Sequence, residues 1–442
     1  MPRQPLSPSR ATPTPSSASP RSKPGGPRIA LALAGGGPLG AIYEIGALCA
    51  LDEALDGIDF TQLGHYVGVS AGSFIAAALA NGMTPQALCS SFIDNDKPLA
   101  KGQDSSDRFD PAWLMRPATS ELLRRSIMLP GLLASALWRA TVGGKSIISA
   151  LELLGPALPT GVFSNEEIDT RLAAIFSKSG RTNDFRQLKS RLTLVATNLD
   201  SAQAAPFGQP GWDHVPISRA VQASSALPGL FPPVEIDDHY YVDGALIKSL
   251  HATVALDEGV NLLLCLNPLV PFDASSFTSP IMQRGLPQHK RRIPRIADGG
   301  LPGVLSQTFR SMIHSRMALG MKHYERSYPD TDIILIEPDA RDPEMYQANT
   351  FSYHQRRAVA EHAYQQTRHM LRARKTSLSA KLGKHGISIN SEVLDDTKRH
   401  LTQLPKPASR LGQAIASLQE VMDDLETSLH TLTAAAKPPV AA

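Results

Sequence analysis

Three short stretches carry residue types that do chemistry in combination. The first is Gly68-Val69-Ser70-Ala71-Gly72, a serine with glycine two places away on either side. A serine hydroxyl attacks a carbonyl only with a base beside it and with donors for the negative charge that develops on the carbonyl oxygen. The second stretch, Gly35-Gly36-Gly37-Pro38-Leu39-Gly40, offers donors of that kind. Several successive N–H groups can face one anionic oxygen there because no side chain intervenes. The third, Asp243-Gly244-Ala245, places a carboxylate at the end of the strand-forming run Tyr240-Tyr241-Val242. Nucleophile, anion cradle and carboxylate are the parts of an acyl-transfer site.

Each stretch has a plainer alternative. The pentad alone is a Gly/Ser turn between a strand and a helix, and an Asp-Gly step is a common turn signal. Gly35, Gly37 and Gly40 also satisfy the G-x-G-x-x-G spacing that cradles a pyrophosphate. A dinucleotide fold wants an acidic residue at the end of the second strand, roughly 20 residues on. Asp56 and Asp59 fall near that distance but precede the second strand, which ends in Ser70 instead. The glycine loop and the pentad together favour an oxyanion hole over a dinucleotide site.

The elements needed to position these residues are legible as a βα series. Residues 28–34 are an apolar strand running into the glycine loop. Ile42, Ile45, Leu48, Leu51 and Leu55 then recur at helical spacing. Residues 66–69 form a strand, and Phe74-Ile75-Ala76-Ala77-Ala78-Leu79-Ala80 is strongly helix-forming. Ser70 therefore sits on a strand-to-helix corner, with glycines removing the Cβ atoms that would crowd it. The new helix turns its positive end toward that corner. Asn81-Gly82 closes that helix, Thr84-Pro85 opens the next, and Ser164-Asn165-Glu166-Glu167 reads as a capping box before a helix over 168–176. Residues 192–197, 240–243, 260–268 and 331–338 are further strands. Parallel strands bring their carboxyl ends to one sheet edge, where ligands bind. Ser70, the glycine loop and Asp243 converge on that edge.

Outside this core, the first 27 residues are rich in Pro, Ser, Thr and Arg and cannot bury apolar surface, so a disordered tail is expected. Residues 111–160 read as amphipathic helix with interleaved arginines, either a layer on the sheet or a lid that meets lipid. Residues 273–300 read as a loop with the basic run His289-Lys290-Arg291-Arg292, followed by helices over 304–324 and 353–374. Leu411, Ile415, Leu418, Met422, Leu425, Leu429 and Leu432 alternate four and three apart, a coiled-coil seam that would pair copies of the chain or pack back on its body.

Composition limits the function class. The 442 residues carry 44 Lys+Arg against 41 Asp+Glu, a net charge of +3 that does not point to nucleic acid. The tail contains no apolar stretch of the secretory kind, and no apolar run is long enough to span a bilayer. These features suggest a cytoplasmic or membrane-peripheral protein. The cysteines at 49, 89 and 265 lie far apart in apolar surroundings and read as buried thiols. No spacing of His, Cys, Asp or Glu suggests a metal site. His65, His214, His239 and His251 are the candidates for a histidine base, and all four read as structural or exposed.

The ordered set of motifs resembles the patatin-like phospholipases, a family of lipid acyl hydrolases. The match runs through Gly35 to Gly40, the pentad around Ser70, and Asp243-Gly244-Ala245. Residues 161–165, 195–199 and 223–233 also resemble the family. The resemblance covers about residues 28–272 and implies an α/β three-layer sandwich with a mainly parallel central sheet, followed by a C-terminal helical extension. It divides the chain into the tail (1–27), a catalytic domain (28–272), an insertion loop with a helix and the last core strand (273–345), and a helical C-terminal region (346–442) holding the seam at 411–432. It implies a Ser-Asp dyad, with Ser70 as nucleophile and Asp243 as proton acceptor, and an oxyanion hole from Gly35, Gly36, Gly37 and Gly40. Gly68, Gly72 and Gly244 support the turns. It implies no metal or cofactor, and a lipid ester as substrate at a membrane or lipid surface. One departure is Leu39, where the family usually carries a basic residue. The alternative from another class is a catalytically silent lipid-binding or scaffolding protein that works through its C-terminal helices.

Overall fold

The computed structural model describes residues 28–93, 116–119, 159–274, 296–342 and 353–402, together with Glu344, Met345 and scattered positions between 125 and 138. The tail before residue 28, most of 111–160, the basic run 289–292 and the heptad seam 411–432 lie outside the described residues. In chain order the first elements are β1 (Ile29–Leu33), α1 (Gly37–Ala54), β2 (Leu55–Asp56), β3 (His65–Val69), α2 (Ala71–Ala80) and α3 (Pro85–Phe92). Next come α4 (Glu166–Phe176), β4 (Arg191–Asn198), β5 (Ala204–Phe207), α5 (Ile217–Ser224), β6 (Val234–Ile236) and β7 (His239–Asp243). The series continues with α6 (Thr253–Leu256), β8 (Leu262–Leu266), α7 (Gly300–Ser327) and β9 (Asp332–Ile336). It ends in α8 (Tyr353–Ala373), α9 (Lys375–Gly383), β10 (Ser388–Ile389) and α10 (Ser391–Asp395).

The sheet is mixed. Strands β4, β3, β1, β8 and β9 run parallel in that order, while β5, β6 and β7 add antiparallel pairs at the β4 end. The parallel strands are apolar on both faces, as buried parallel strands must be. Along β1 the larger residues Ile29, Leu31 and Leu33 enter the core beneath α1 and α2, whereas Ala30, Ala32 and Ala34 face the opposite layer. In β8, Leu262, Leu264 and Leu266 take the first face and Leu263 and Cys265 the second. The period-two alternation thus feeds two cores, and the fold is a three-layer α/β sandwich with C-terminal helices.

Helix α1 begins at Gly37, five residues before Ile42, the first of its helically spaced apolar residues, so four of the six residues of the glycine loop are helical. Pro38 is compatible with this because a first-turn residue needs no N–H partner. The helix is buried around nearly its whole circumference. Gly46 lets α8 approach: a Cβ there would stand 2.4 Å from the Ala360 carbonyl oxygen. Behind that crossing, the buried Arg368 guanidinium donates to the carbonyls of Val393 and Asp396 and to the Tyr364 hydroxyl, which itself donates to Glu53 on α1. Residues 353–402 are thereby clamped onto α1 as its outer layer.

The second face is covered by α7, whose Met317 and Tyr324 enter the alanine-rich core. Its Gln307 side chain brackets Phe272 by donating to the backbone carbonyl and accepting from the amide. No described helix is long and apolar enough to cross a membrane. Thr84 caps α3 as its sequence suggests, accepting from Ala87 N at 3.1 Å. The expected capping box before α4 does not form. Asn165 is the N-cap residue but makes no capping bond; its side chain instead donates to Pro232 O and accepts from Gln222. A tertiary demand from the 223–233 turn overrides the local motif.

Candidate active site

The register of β4 explains how residues 173 positions apart meet. One edge of β4 carries β5 over Leu194 to Thr197. The other edge is shared by two strands end to end: Val69 of β3 pairs with Val195, and Asp243 of β7 pairs with Ala196. Strand β3 arrives from one direction and β7 from the other. Their last residues therefore adjoin, and the next residue after Val69 is Ser70.

Ser70 lies at φ 54°, ψ −123°, a left-handed region that costs a non-glycine residue of order 1–3 kcal/mol unless the surroundings hold it. Four backbone bonds hold it. Its N–H donates to Ser224 Oγ at 2.9 Å, and Ser224 Oγ donates in turn to Val195 O at 2.6 Å. Its carbonyl accepts from Ser73 N at 2.9 Å, from Ser73 Oγ at 2.5 Å and from Ser225 Oγ at 3.2 Å. With the backbone locked, Ser70 Oγ donates to Asp243 Oδ2 at 2.6 Å.

Asp243 is buried, at 2% exposure. Its second oxygen, Oδ1, accepts from Ala245 N at 2.9 Å. Its backbone is fixed by Asp243 N donating to Ala226 O and by Thr197 Oγ1 donating to Asp243 O, both at 3.0 Å. Burial pushes the carboxyl up to about 6, against the lowering influence of the Ser70 and Ala245 hydrogen bonds. The group is therefore largely ionised at neutral pH yet close enough to neutrality to hold a proton briefly.

The glycine loop lies directly against this pair. A Cβ on Gly35 would stand 3.0 Å from Ser70 Cβ and 3.1 Å from Ala245 Cβ, so a side chain there would press on the serine. Gly37, at φ 60°, is exposed and opens α1. The first turn of a helix leaves its N–H groups without intrahelical partners, and here those belong to Gly36, Gly37 and Leu39, Pro38 having none. Gly40 departs from the expectation of four glycine donors. Its N–H donates to Gly36 O at 3.0 Å as the first bond of the helix, and its bare Cα admits Pro268. Gly68, Gly72 and Gly244 are turn glycines set by close approach; at Gly244 a Cβ would stand 2.1 Å from Val195 O.

Three of the four histidines are engaged elsewhere, and the buried Nε2 of the fourth, His251, has no hydrogen-bond partner among the described residues. His65 is buried between Glu258 and Thr193, His214 meets Asp237 at 2.7 Å, and His239 Nδ1 contacts Asp237 O. His251 is buried and pushed down to about 4, chiefly by burial. Neither Ser70 nor Asp243 has a histidine partner among the described residues. Cys49, Cys89 and Cys265 are buried and unbridged. Sequence reasoning singled out the 223–233 turn but not the task of Ser224, Ser225 and Thr197. The signal available was a pair of serines closing a short helix just before a proline-rich turn, where a buried hydroxyl needs a partner.

Residues 31–256, just over half of the chain, match the patatin-like phospholipase family. The chain belongs to that family. The matched patatin region takes in the glycine loop, the pentad and Asp243, and stops before β8, α7 and the α8 to α10 layer. No curated protein matches the chain. Among solved structures, VipD from Legionella pneumophila is similar at 17% identity and a TM-score of 0.34, over 78% of this chain and 66% of VipD. Full-length ExoU from Pseudomonas aeruginosa, in complex with SpcU, is similar at 18% identity and a TM-score of 0.25, over 76% of this chain and 52% of ExoU. The chain thus spans between about half and two thirds of these relatives.

Proposed function

We propose that this patatin-like protein is a serine acyl hydrolase acting on fatty-acyl esters of lipids, with Ser70 and Asp243 as its catalytic pair. The observation that carries the proposal is the 2.6 Å hydrogen bond from Ser70 Oγ to a buried carboxylate with no imidazole between them. Ser70 Oγ attacks the ester carbonyl carbon while its proton passes to Asp243 Oδ2. The tetrahedral oxyanion is held by the free first-turn N–H groups of Gly36, Gly37 and Leu39, at the positive end of the 18-residue helix α1. Asp243 returns the proton to the departing alcohol, leaving an acyl-serine. Asp243 then takes a proton from water, the hydroxide attacks the acyl carbon, and Ser70 recovers its proton as the fatty acid leaves.

The pKa of Asp243 suits this work. A carboxyl at its ordinary value is a weak base for an alcohol, and desolvation strengthens it. The test is hydrolysis of a panel of phospholipid, lysophospholipid and triacylglycerol substrates by the wild type, Ser70→Ala and Asp243→Asn. Activity lost in both variants upholds the proposal. Wild-type protein without turnover on any ester would refute it and leave a lipid-binding protein.

A further inference from the structure

On the sheet face opposite α1, a cavity of about 370 Å³ lies between α7 and the turn that follows Asp243. Three basic residues line it: Lys248 from the turn, and Arg316 and His323 two turns apart on α7. No Asp or Glu is among its lining residues. Neither Lys248 nor Arg316 is ion-paired among the described residues. Arg316 is nonetheless positioned, since its Nη1 donates to Leu246 O at 2.8 Å and ties α7 to the turn. Ser249 also lines the cavity, and its buried hydroxyl has no hydrogen-bond partner among the described residues. Much of the remaining wall is apolar, including Met317 and Leu319. Two exposed like charges and an imidazole around a partly apolar cavity, with no acidic residue in its lining, favour an anion.

The surroundings indicate where that anion would come from. One turn before Arg316, Ile313 packs against Ala245, Val69 and Val195, the residues adjoining the Ser70–Asp243 pair. The same helix exposes Leu301, Leu305, Phe309, Met312 and Leu319 along one side, Leu301 at 71% and Leu319 at 67%. At 100° per residue these five fall within one arc of about 80°, an apolar stripe in which Arg316 stands between Met312 and Leu319 and His323 follows on the same face. A soluble anion has no use for such a stripe, whereas a phospholipid surface offers acyl chains and phosphate together.

We propose that this cavity binds the phosphate of an anionic phospholipid while the α7 stripe rests on the lipid surface. The proposal rests on the lipid hydrolase reading above and adds to it a headgroup site. It gives the protein a cationic site beside the Ser70–Asp243 pair although Leu39 brings no charge to the glycine loop.

The test uses the full chain as Ser70→Ala, so that lipid is bound without turnover, in flotation with phosphatidylcholine vesicles with or without phosphatidic acid. Lys248→Gln is compared with Lys189→Gln, an exposed lysine away from the cavity that removes the same charge. Lys248→Gln should weaken binding to the acidic vesicles about fivefold more than the control, and Lys248→Arg should restore it. Equal losses in Lys248→Gln and Lys189→Gln would overturn the site and leave only general surface charge. If inorganic phosphate raises the melting temperature of the Ser70→Ala chain but not that of Lys248→Gln, and acidic vesicles gain nothing, the lipid source is overturned in favour of free phosphate. Lys248-dependent vesicle binding by a protein that hydrolyses no ester would uphold the site and refute only the hydrolase.

Discussion

Asp243 and Glu44 are both carboxyl groups sealed inside the same domain, and they differ in nearly everything that matters for chemistry. Asp243 ends a strand, accepts from Ser70 Oγ and Ala245 N, and is pushed by burial up to about 6. Glu44 sits in the interior of α1, fully buried. The Ala34 amide beside it is donated to Leu266 O, and neither Glu44 oxygen has a hydrogen-bond partner among the described residues. Burial drives its pKa well above the ordinary carboxylate range. Desolvation acts on both groups in the same direction; the partners decide the outcome. Two hydrogen bonds keep Asp243 titrating near neutral pH and aim it at one hydroxyl. For Glu44 the nearby Ala34 amide is the lowering influence, and burial outweighs it.

Substitutions at the two sites should separate these roles. Asp243→Asn keeps the shape and removes the base, and should lower kcat for ester hydrolysis on the order of 10³-fold. Glu44→Gln, measured in the same assay, should leave kcat where it is. A stability difference should follow with the opposite sign. Because the folded pKa of Asp243 lies above its unfolded value, the ionised carboxylate destabilises the fold. That penalty is absent below about pH 3.8 and complete once pH has risen past about 6. Asp243→Asn should therefore be more stable than wild type by about 3 kcal/mol at pH 8, with no gain at pH 3.5, by denaturant unfolding.

Smaller effects probe the supports. Ser224→Ala leaves the buried Ser70 N–H without its acceptor, costing about 1–3 kcal/mol of stability. It should also slow ester hydrolysis on the order of tenfold by loosening the serine's geometry. Glu44→Met removes an unpartnered polar group from the core and should stabilise by about 1–2 kcal/mol in thermal or chemical melts.

Local patterns made much of this arrangement legible. The strand, corner and helix around Ser70 follow from a short apolar run, paired glycines and an alanine-rich stretch, and they appear as read. Ser70 and Asp243 were identifiable because each closes a strand at a glycine turn. Their contact needed the pairing of β3 and β7 on one edge of β4, which is a matter of register between distant segments. The same limit hid Asn165, whose capping pattern yields to Pro232 and Gln222, and Arg368, whose partners lie on a different segment of the C-terminal layer. At Gly37 the difficulty was one of local chemistry. A glycine-proline pair reads as a loop, although proline is at home in the first turn of a helix.

The central claim is that the Asp243 carboxylate activates the Ser70 hydroxyl directly. The rate at which a fluorophosphonate labels Ser70, followed across pH in wild type and Asp243→Asn, tests it without reference to any lipid. The wild-type rate should rise with pH through an inflection near 6, as Asp243 ionises, and the variant should label slowly with no such inflection. Labelling of Asp243→Asn at the wild-type rate, or a wild-type profile flat across that range, would contradict the account.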